Sequence, residues 1–219
     1  MDLLIVNHGK AQKQKGVSID PDGALMDIGM KQACLTGAWL KYNFYYKEYI
    51  GYTSPYLKTL QTASAFSEIL NINFEVDAQL REFNIGVSKE SKIPNRSVQF
   101  DNLHWPIKEW EDDKKFKNET ISDFLERCVG FLEKIKNKNK VLIVSHTANC
   151  VALAQLAIGK KIEDIRKICL ETQKTISKHS GNVPETVAEQ LVYLTGMKPC
   201  GITWIKGEEP IWFSRVVSE

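Results

Sequence analysis

Leu3-Leu4-Ile5-Val6-Asn7-His8-Gly9 (LLIVNHG) is the stretch of sequence that decides the fold. Its first four residues are apolar and branched, and the run stops at Asn-His-Gly, which is typical of a turn. A short apolar run bounded by a turn predicts a strand buried on both faces, although a piece of buried helix has the same pattern. His8 would then follow the carboxyl end of a strand, where open α/β sheets bind their ligands.

A second segment of the chain repeats this arrangement. Val141-Leu142-Ile143-Val144-Ser145-His146 is again an apolar run followed by a histidine. Because the carboxyl ends of parallel strands meet at one edge of a sheet, we expect His8 and His146 at the same edge. Taken alone, His8 could belong to a plain turn and His146 to the core; the repetition favours a shared site.

Composition and charge are those of an ordinary globular protein. Of the 219 residues, 43% are hydrophobic and 26% are charged, which fits a single domain over residues 1–219. The formal net charge of +2 predicts neither a nucleic-acid partner nor an acidic membrane. The amino terminus lacks a signal-peptide pattern, and no apolar run reaches the ~18 residues of a membrane span. We expect a soluble, intracellular protein of the cytoplasm; the sequence does not predict its oligomeric state.

The cysteines give no pattern of a disulfide or metal framework. They are odd in number, scattered, and include no C-x-x-C pair. The five positions are Cys34, Cys128, Cys150, Cys169 and Cys200. We interpret them as small core side chains. The sequence shows no convincing metal-binding constellation, and we expect neither a metal nor another cofactor.

Strand and helix patterns alternate along the rest of the chain. Apolar or period-two runs predict strands, and apolar residues three and four apart predict helices. After the first strand, the predicted strands cover 49–53, 74–80, 141–146, 201–206 and 211–216, the last two joined by a turn at 207–210. The predicted helices cover 27–43, 57–70, 120–136, 148–158, a further pattern through 169, and 184–194. Asp27 would cap the first helix, and Thr120 with Asp123 would form a capping box.

Two long segments interrupt the alternation. Residues 84–118 are polar and carry Trp105, Trp110 and a charge run, and residues 171–195 form a second insertion. Structureless stretches of this length inside a domain are uncommon and are usually functional. We interpret 84–118 as a cap or lid that selects the substrate, with a solvated surface insertion as the alternative.

Alternating strands and helices predict a three-layer α/β sandwich. Its central sheet would be mostly parallel, with helices on both faces. The ends of four strands would then gather at one edge. The groups that arrive there are His8, the turn 54–58 with Lys58, Glu82 and His146.

These side chains suit phosphoryl transfer. A neutral imidazole can attack phosphorus, because the reaction depends mainly on positioning and charge stabilisation. A second imidazole, if protonated, can donate to the equatorial oxygens, and Lys58 near a helix N-terminus can hold the phosphate. A carboxylic acid such as Glu82 can protonate the departing alkoxide if its pKa is raised towards the working pH.

Several short motifs, in a fixed order, resemble landmarks of the histidine phosphatase superfamily, which includes the phosphoglycerate mutases. They are His8-Gly9 after the first strand, DIGMKQA (27–33), SPYLKTLQTA (54–63), LRE (80–82) and VSH (144–146). The resemblance spans residue 3 to about residue 206. It implies a phosphoglycerate mutase-like fold.

The resemblance also implies roles for individual residues. His8 would carry a phosphohistidine intermediate, His146 would face it as a donor in the transition state, and Glu82 would be the proton donor. The phosphate would be held by groups around the first motif and at the second helix. These candidates are Asn7, Gly9, Lys10, Gln14, Lys58 and Thr147.

Several departures from the family pattern fall on the phosphate site. The first motif of the family begins with arginine, where this chain has Asn7, and a second arginine is replaced by Lys58. Arginine binds phosphate with two parallel hydrogen bonds, whereas asparagine brings no charge and lysine only a point charge. Two weakened contacts of about 1.5–3 kcal/mol each would slow the reaction by roughly two to four orders of magnitude. Lys10, at a position often acidic in the mutases, is hypothesised to restore positive charge, and Thr147 replaces a small residue.

Three functions remain open. The first is a phosphomonoester hydrolase that acts on a phosphorylated small metabolite or a phosphoprotein. The second is a phosphoglycerate-type mutase, and the third is a degenerate relative that binds a phosphate ligand or a protein partner without turnover. The long segment between His146 and Cys200 favours the phosphatase over the mutase. Retention of both histidines and Glu82 argues against the third, because binding alone needs no nucleophile.

Overall fold

A six-stranded sheet forms the centre of the described part of the chain. The computed structural model describes residues 1–12, 23–82, 119, 121–165 and 198–217. Within them the strands are β1 (Asp2–Asn7), β2 (Ile50–Thr53), β3 (Phe74–Val76), β4 (Lys140–Ser145), β5 (Ile202–Lys206) and β6 (Glu209–Arg215). The helices are α1 (Asp27–Asn43), α2 (Leu57–Leu70), α3 (Ile121–Ile135) and α4 (Thr147–Ala157), with 3₁₀ turns at Tyr46–Glu48 and Ala78–Leu80.

The order of the strands across the sheet is β3-β2-β4-β1-β5-β6. The four strands from β3 to β1 pair in parallel, whereas β5 is antiparallel to β1, and β6 is antiparallel to β5. In the pairing of β1 with β4, Leu3 lies opposite Val141 and Asn7 opposite Ser145, so the two strands end at the same level. The predicted, mostly parallel sheet is confirmed, with an antiparallel pair at one edge.

Helices cover both faces of the sheet, which explains why its central strands are apolar throughout. Along β1, Leu3 and Ile5 join one core cluster, whereas Leu4 and Val6 join the other. Residues of α3 and α4 complete the first cluster, and residues of α1 and α2 complete the second. Strands buried on both sides have continuous apolar runs rather than alternation. The predicted three-layer arrangement is confirmed.

Most element bounds agree with the prediction to within one or two residues, but two details of the ends were wrong. The N-cap of α1 is Met26, without a side-chain cap, and Asp27 is the first helical residue, where its charge still favours the helix dipole. Glu209 and Pro210 belong to β6 rather than to the preceding turn. Proline is acceptable there because β6 is an edge strand.

β3 is shorter than predicted, and this shortening brings the chain towards the site. The strand ends at Val76 instead of residue 80. The carboxylate of Asp77 accepts a hydrogen bond from the Gln79 N–H at 2.7 Å, which turns the chain into the 3₁₀ turn. Residues 79–82 therefore leave the sheet before they reach the edge at which β1 and β4 end.

The cysteines divide between the core and the surface. Cys128, Cys150 and Cys200 are buried free thiols, as predicted. Cys34 is exposed, so its predicted core position was wrong. The neighbour of Cys34 in α1, Ala33, lies on the buried side of the helix. Because successive residues of a helix point about 100° apart, Cys34 points away from that side. Cys169 lies outside the described residues.

Several predicted features lie outside the described residues. They are the insertions 84–118 and 171–195, Thr120, the candidate phosphate ligand Gln14 and the helix 184–194. Of the helical pattern through residue 169, residues 162–165 are described and are helical. No helix in the described part of the chain is long and apolar enough to cross a membrane.

Two glycines let the loop after β1 lie directly on the start of α1. A Cβ atom on Gly29 would lie 2.1 Å from the carbonyl oxygen of Lys10, and one on Gly9 would lie 2.4 Å from the carbonyl oxygen of Gly29. Both neighbours are backbone atoms, which cannot move aside as a flexible side chain can. The backbone that carries His8 is therefore packed against α1 without intervening side chains.

Gly29→Ala is expected to lower the free energy of unfolding by about 1–3 kcal/mol because of this overlap. Helix propensity alone predicts the opposite sign, since alanine is favoured over glycine by about 1 kcal/mol. Gly130→Ala in α3 is the matched control, because its Cβ would meet only the end of the Gln79 side chain. Chemical denaturation of both variants measures the difference; equal stabilities would contradict the close contact.

Candidate active site

His8 follows β1 directly and is held by the backbone around it. Its Nδ1 lies 2.7 Å from the carbonyl oxygen of Gly9. A carbonyl oxygen can only accept, so Nδ1 carries the proton and Nε2 keeps its lone pair. The His8 N–H donates to the Ser145 carbonyl at 3.0 Å, and the Cys200 N–H donates to the His8 carbonyl at 3.1 Å. A potentially nucleophilic nitrogen is thus presented from a fixed backbone.

The imidazole of His8 is uncharged at neutral pH. Burial and, secondly, the positive charge of Lys58 lower the pKa of His8 from 6.5 to about 3, although the bond to the Gly9 carbonyl acts in the opposite direction. Loss of solvent and a nearby like charge both disfavour the imidazolium form. The neutral form is the one that can attack an electrophile.

His146 directly follows β4 and occupies the N-cap position of α4. Its side chain is fully buried, with Nε2 2.7 Å from the Ser54 hydroxyl and Nδ1 3.5 Å from a carboxylate oxygen of Glu82. The rings of His8 and His146 meet edge to face, with centroids 5.4 Å apart. The Tyr56 ring approaches His146 from another side at 5.2 Å. The structure therefore brings both histidines and Glu82 together.

Glu82 reaches this position through a segment tied to the end of β4. The Ser145 hydroxyl donates to the carbonyl of Leu80 at 2.8 Å, and the Leu80 side chain is fully buried. The Glu82 side chain is 13% exposed beside His146. A carboxyl group here borders both the buried histidine and solvent, which suits a group that exchanges protons.

Lys58 and two helix ends make this edge of the sheet electropositive. Lys58 lies in the first turn of α2, is only 4% exposed, and acts on the pKa of His8. α2 and α4 both begin at this edge, directly after Tyr56 and His146. The first N–H groups of a helix have no partner within the helix and favour anions.

Asn7 and Thr147, which both depart from the family pattern, contact each other. The side-chain amide of Asn7 donates to the Thr147 hydroxyl at 3.1 Å and to the Lys198 carbonyl at 3.2 Å. Because a carbonyl accepts only, the second bond fixes the orientation of the amide. Both amide protons of Asn7 are thereby directed into the protein. Its role and that of Thr147 in phosphate binding stay predictions, and a phosphate contact by Asn7 would need another partner atom or a rearrangement.

The backbone around Gly9 and Lys10 also has partners within the protein. The Gly9 N–H donates to the Thr62 hydroxyl at 3.2 Å, and the Lys10 N–H donates to the Gln32 side chain at 3.0 Å. The Lys10 side chain is exposed. The structure therefore leaves its ammonium, rather than its backbone, as the group for the predicted phosphate contact.

Ser54, Tyr56 and Thr62 were missed as individual site residues. Ser54 contacts Nε2 of His146, the Tyr56 ring packs on the same imidazole, and Thr62 holds the Gly9 backbone. All three belong to the SPYLKTLQTA stretch, of which only the turn 54–58 was assigned to the site. Only Ser54 carried a signal of its own, since it directly follows β2 at the edge of the sheet where His8 and His146 lie.

The arrangement combines a neutral imidazole that can act as a nucleophile, a buried second imidazole, a carboxyl group and a local positive charge. These are the groups that phosphoryl transfer requires. Among the described residues, no three His, Cys, Asp or Glu side chains are grouped so that they could hold a metal ion.

The imidazole of His8 is expected to stay neutral from pH 8 down to about pH 4.5, since its pKa is lowered to about 3. The unfolded chain takes up this proton near 6.5, so acid favours unfolding below that pH. Titration of ¹⁵N-histidine-labelled protein by NMR, with His8→Ala for assignment, measures the pKa. A midpoint between 6 and 7 for His8 would contradict the argument.

Thr147→Val is expected to lower the free energy of unfolding by about 1–3 kcal/mol, because a buried Asn7 donor loses its acceptor. The two side chains have nearly the same shape, so packing is preserved. Thr147→Ser is the control, as it retains the hydroxyl. Denaturant unfolding compares them; a valine variant as stable as the serine variant would show that the Asn7–Thr147 bond contributes nothing.

Solved structures with the same fold include several phosphatases. A mycobacterial glucosyl-3-phosphoglycerate phosphatase in complex with inorganic phosphate is 16% identical, with a TM-score of 0.64 over 99% of both chains. The alpha-ribazole phosphatase from Shigella flexneri is 16% identical, with a TM-score of 0.64 over 100% of this chain and 96% of that one. A protein described as mycobacterial hydrolase 2 is 14% identical, with a TM-score of 0.66 over 100% and 92%. At these identities the similarity shows the fold.

The sequence itself identifies the family. No curated protein sequence matches the chain. The family model of the histidine phosphatase superfamily (branch 1), however, matches residues 3–186. This match includes both histidines, Lys58 and Glu82. The chain therefore belongs to the histidine phosphatase superfamily.

Proposed function

We propose that this protein is a phosphomonoester hydrolase that acts through a phosphohistidine on His8. The observation that carries the proposal is the Nδ1 bond to the Gly9 carbonyl, which leaves Nε2 as the free lone pair of a neutral imidazole. The second imidazole and a carboxyl group lie on the same side, as a group-transfer site needs. Membership of the histidine phosphatase superfamily supports this assignment.

In the first step, Nε2 of His8 attacks the phosphorus atom of the monoester. The N–P bond forms while the ester P–O bond breaks, and the departing alkoxide takes a proton from the Glu82 carboxyl group. Negative charge on the equatorial oxygens is stabilised by Lys58, by His146 and by the first turns of α2 and α4. The products of this step are a free alcohol, phosphohistidine and a Glu82 carboxylate.

In the second step, water attacks the phosphohistidine. The Glu82 carboxylate accepts the proton of the attacking water, a new P–O bond forms, and the N–P bond breaks. Inorganic phosphate leaves, and His8 returns to its neutral form. The same carboxyl group acts as the acid in the first step and as the base in the second, so the cycle returns Glu82 to its protonated form.

The substrate is proposed to be a phosphorylated small molecule or a phosphoprotein. Among the described residues, Lys58 supplies a buried positive charge next to His8, whereas Asn7 brings no charge. We therefore expect slower turnover than a site with two guanidinium groups would support. A cytoplasmic location is proposed alongside it, as the free thiols of Cys34, Cys128, Cys150 and Cys200 are usual in a reducing compartment.

A protein that binds a phosphate ligand without turnover is the second candidate. It is favoured by one observation: both amide protons of Asn7 are used within the protein, where the family has a phosphate-binding arginine. The hydrolase is preferred because the tautomer and low pKa of His8 serve attack rather than binding.

Phosphate release from p-nitrophenyl phosphate, sugar phosphates and phosphoglycerates tests the proposal. His8→Ala is expected to reduce release by about 10³-fold or more, since it removes the nucleophile. Quenched wild-type protein should carry acid-labile, base-stable phosphate on His8. Lys136→Ala, an exposed residue of a surface ion pair, is the control and should retain full activity.

The other outcomes identify the alternatives. Isomerised phosphoglycerate without net phosphate release would identify a mutase. No turnover with any substrate, together with equal binding of vanadate by wild type and His8→Ala, would mean that the site binds without catalysis and that the hydrolase assignment is wrong.

A further inference from the structure

A buried ion pair between Arg127 of α3 and Glu119, which lies two residues before that helix, borders the segment that carries Glu82. The guanidinium of Arg127 binds both carboxylate oxygens of Glu119, from Nε and Nη2, each at 2.7 Å. The two side chains are only 8% and 6% exposed. Arg81, at the surface, adds a contact of 3.1 Å to the same carboxylate. Paired, two-point contacts of this kind fix orientation as well as distance.

The remaining edge of the Arg127 guanidinium binds backbone. Its Nη1 donates to the carbonyl oxygen of Gln79 and, at 3.0 Å, to that of Arg81. The second carbonyl belongs to the peptide bond that connects Arg81 with Glu82. Arg127 therefore holds the peptide group that directly precedes the Cα atom of Glu82.

This segment depends on side chains because it has no strand partner. β3 ends at Val76, yet the Leu80 side chain is fully buried and the chain continues into the core. Three consecutive carbonyls accept side-chain hydrogen bonds instead, those of Gln79 and Arg81 from Arg127 and that of Leu80 from Ser145. Buried carbonyls need such partners, and here they come from α3 and from the end of β4.

The geometry points to Arg127 as the positioning residue for Glu82, with Glu119 holding the guanidinium in place. This inference rests on the proposed function, in which Glu82 protonates the leaving group. Arg127 does not touch the substrate in this scheme. It sets the distance between the Glu82 carboxyl and His146, which is 3.5 Å at Nδ1.

Substrates with different leaving groups can distinguish a role of Arg127 in positioning Glu82 from a role in overall stability. p-Nitrophenolate is a stable anion and departs without a proton, whereas an alkoxide needs one. Arg127→Lys keeps the charge but loses the fork that binds carboxylate and carbonyls together. We expect kcat/KM, which covers the steps up to release of the alcohol and excludes the later water attack in which Glu82 also acts, to fall about 10²-fold with an alkyl phosphate and no more than about threefold with p-nitrophenyl phosphate. Glu119→Gln should give the same pattern more weakly.

Lys134→Gln is the matched control. Lys134 lies on the same helix and forms ion pairs with Glu75 and Asp77, just before the Glu82 segment, but it does not bind the carbonyls of residues 79–81. It should lower stability without changing the ratio of the two activities. Adding Arg127→Lys to Glu82→Gln should cost little more than Glu82→Gln alone, because both act on one proton transfer.

A second readout does not depend on turnover. In ¹⁵N-histidine-labelled protein, Arg127→Lys and Glu119→Gln should shift the His146 ring signals, as Glu82 moves away from Nδ1, while Lys134→Gln should leave them unchanged. Equal losses of kcat/KM with both substrates and an unmoved His146 signal would overturn the inference. That result leaves the hydrolase intact if His8→Ala is inactive. Activity retained by His8→Ala would instead refute the proposed function itself.

Discussion

The parallel pairing of β1 with β4 is the interaction on which the site depends. Asn7 lies opposite Ser145, and the ladder continues one step further, where the His8 N–H donates to the Ser145 carbonyl. Both strands are buried on both faces, so their register is fixed by the two core clusters. A shift of one residue would exchange all side chains between the faces. The 5.4 Å separation of the His8 and His146 rings follows from that register.

Asn7 and Thr147, two positions expected from the sequence to depart from the family pattern, contact each other. Asn7 donates to Thr147, which stands where the family often has a small residue, and to the Lys198 carbonyl. The two departures therefore form one contact that connects the end of β1 with the start of α4. An arginine at this position would bring its charge towards the ligand, whereas Asn7 uses its protons to hold the scaffold. In the part of the chain that the structure describes, Lys58 and the N-terminal ends of α2 and α4 bring positive charge close to His8.

Different interactions hold the three catalytic candidates. His8 and His146 directly follow β1 and β4, whereas Glu82 lies on an irregular segment. The backbone ladder between β1 and β4 tolerates many side-chain changes. Glu82 is fixed by the side chains of Arg127 and Ser145, whose hydrogen bonds replace a strand partner. Removing one member of a buried, charged pair costs about 3–5 kcal/mol. Substitutions of the side chains that hold the Glu82 segment are therefore expected to lower stability and activity more than their distance from the reacting atoms suggests.

The sequence by itself determined the layers and the edge of the site. Continuous apolar runs before His8 and His146 implied strands buried between helices, and α1 and α2 could be bounded to the residue, because these signals are local. Only the tertiary structure decided which groups the side chains contact. The Asn7–Thr147 bond, the Ser54 contact to His146 and the Arg127 hold on the Glu82 segment join residues 140, 92 and 46 positions apart. Such contacts leave no periodic trace, since they depend on where the strands and helices meet in space.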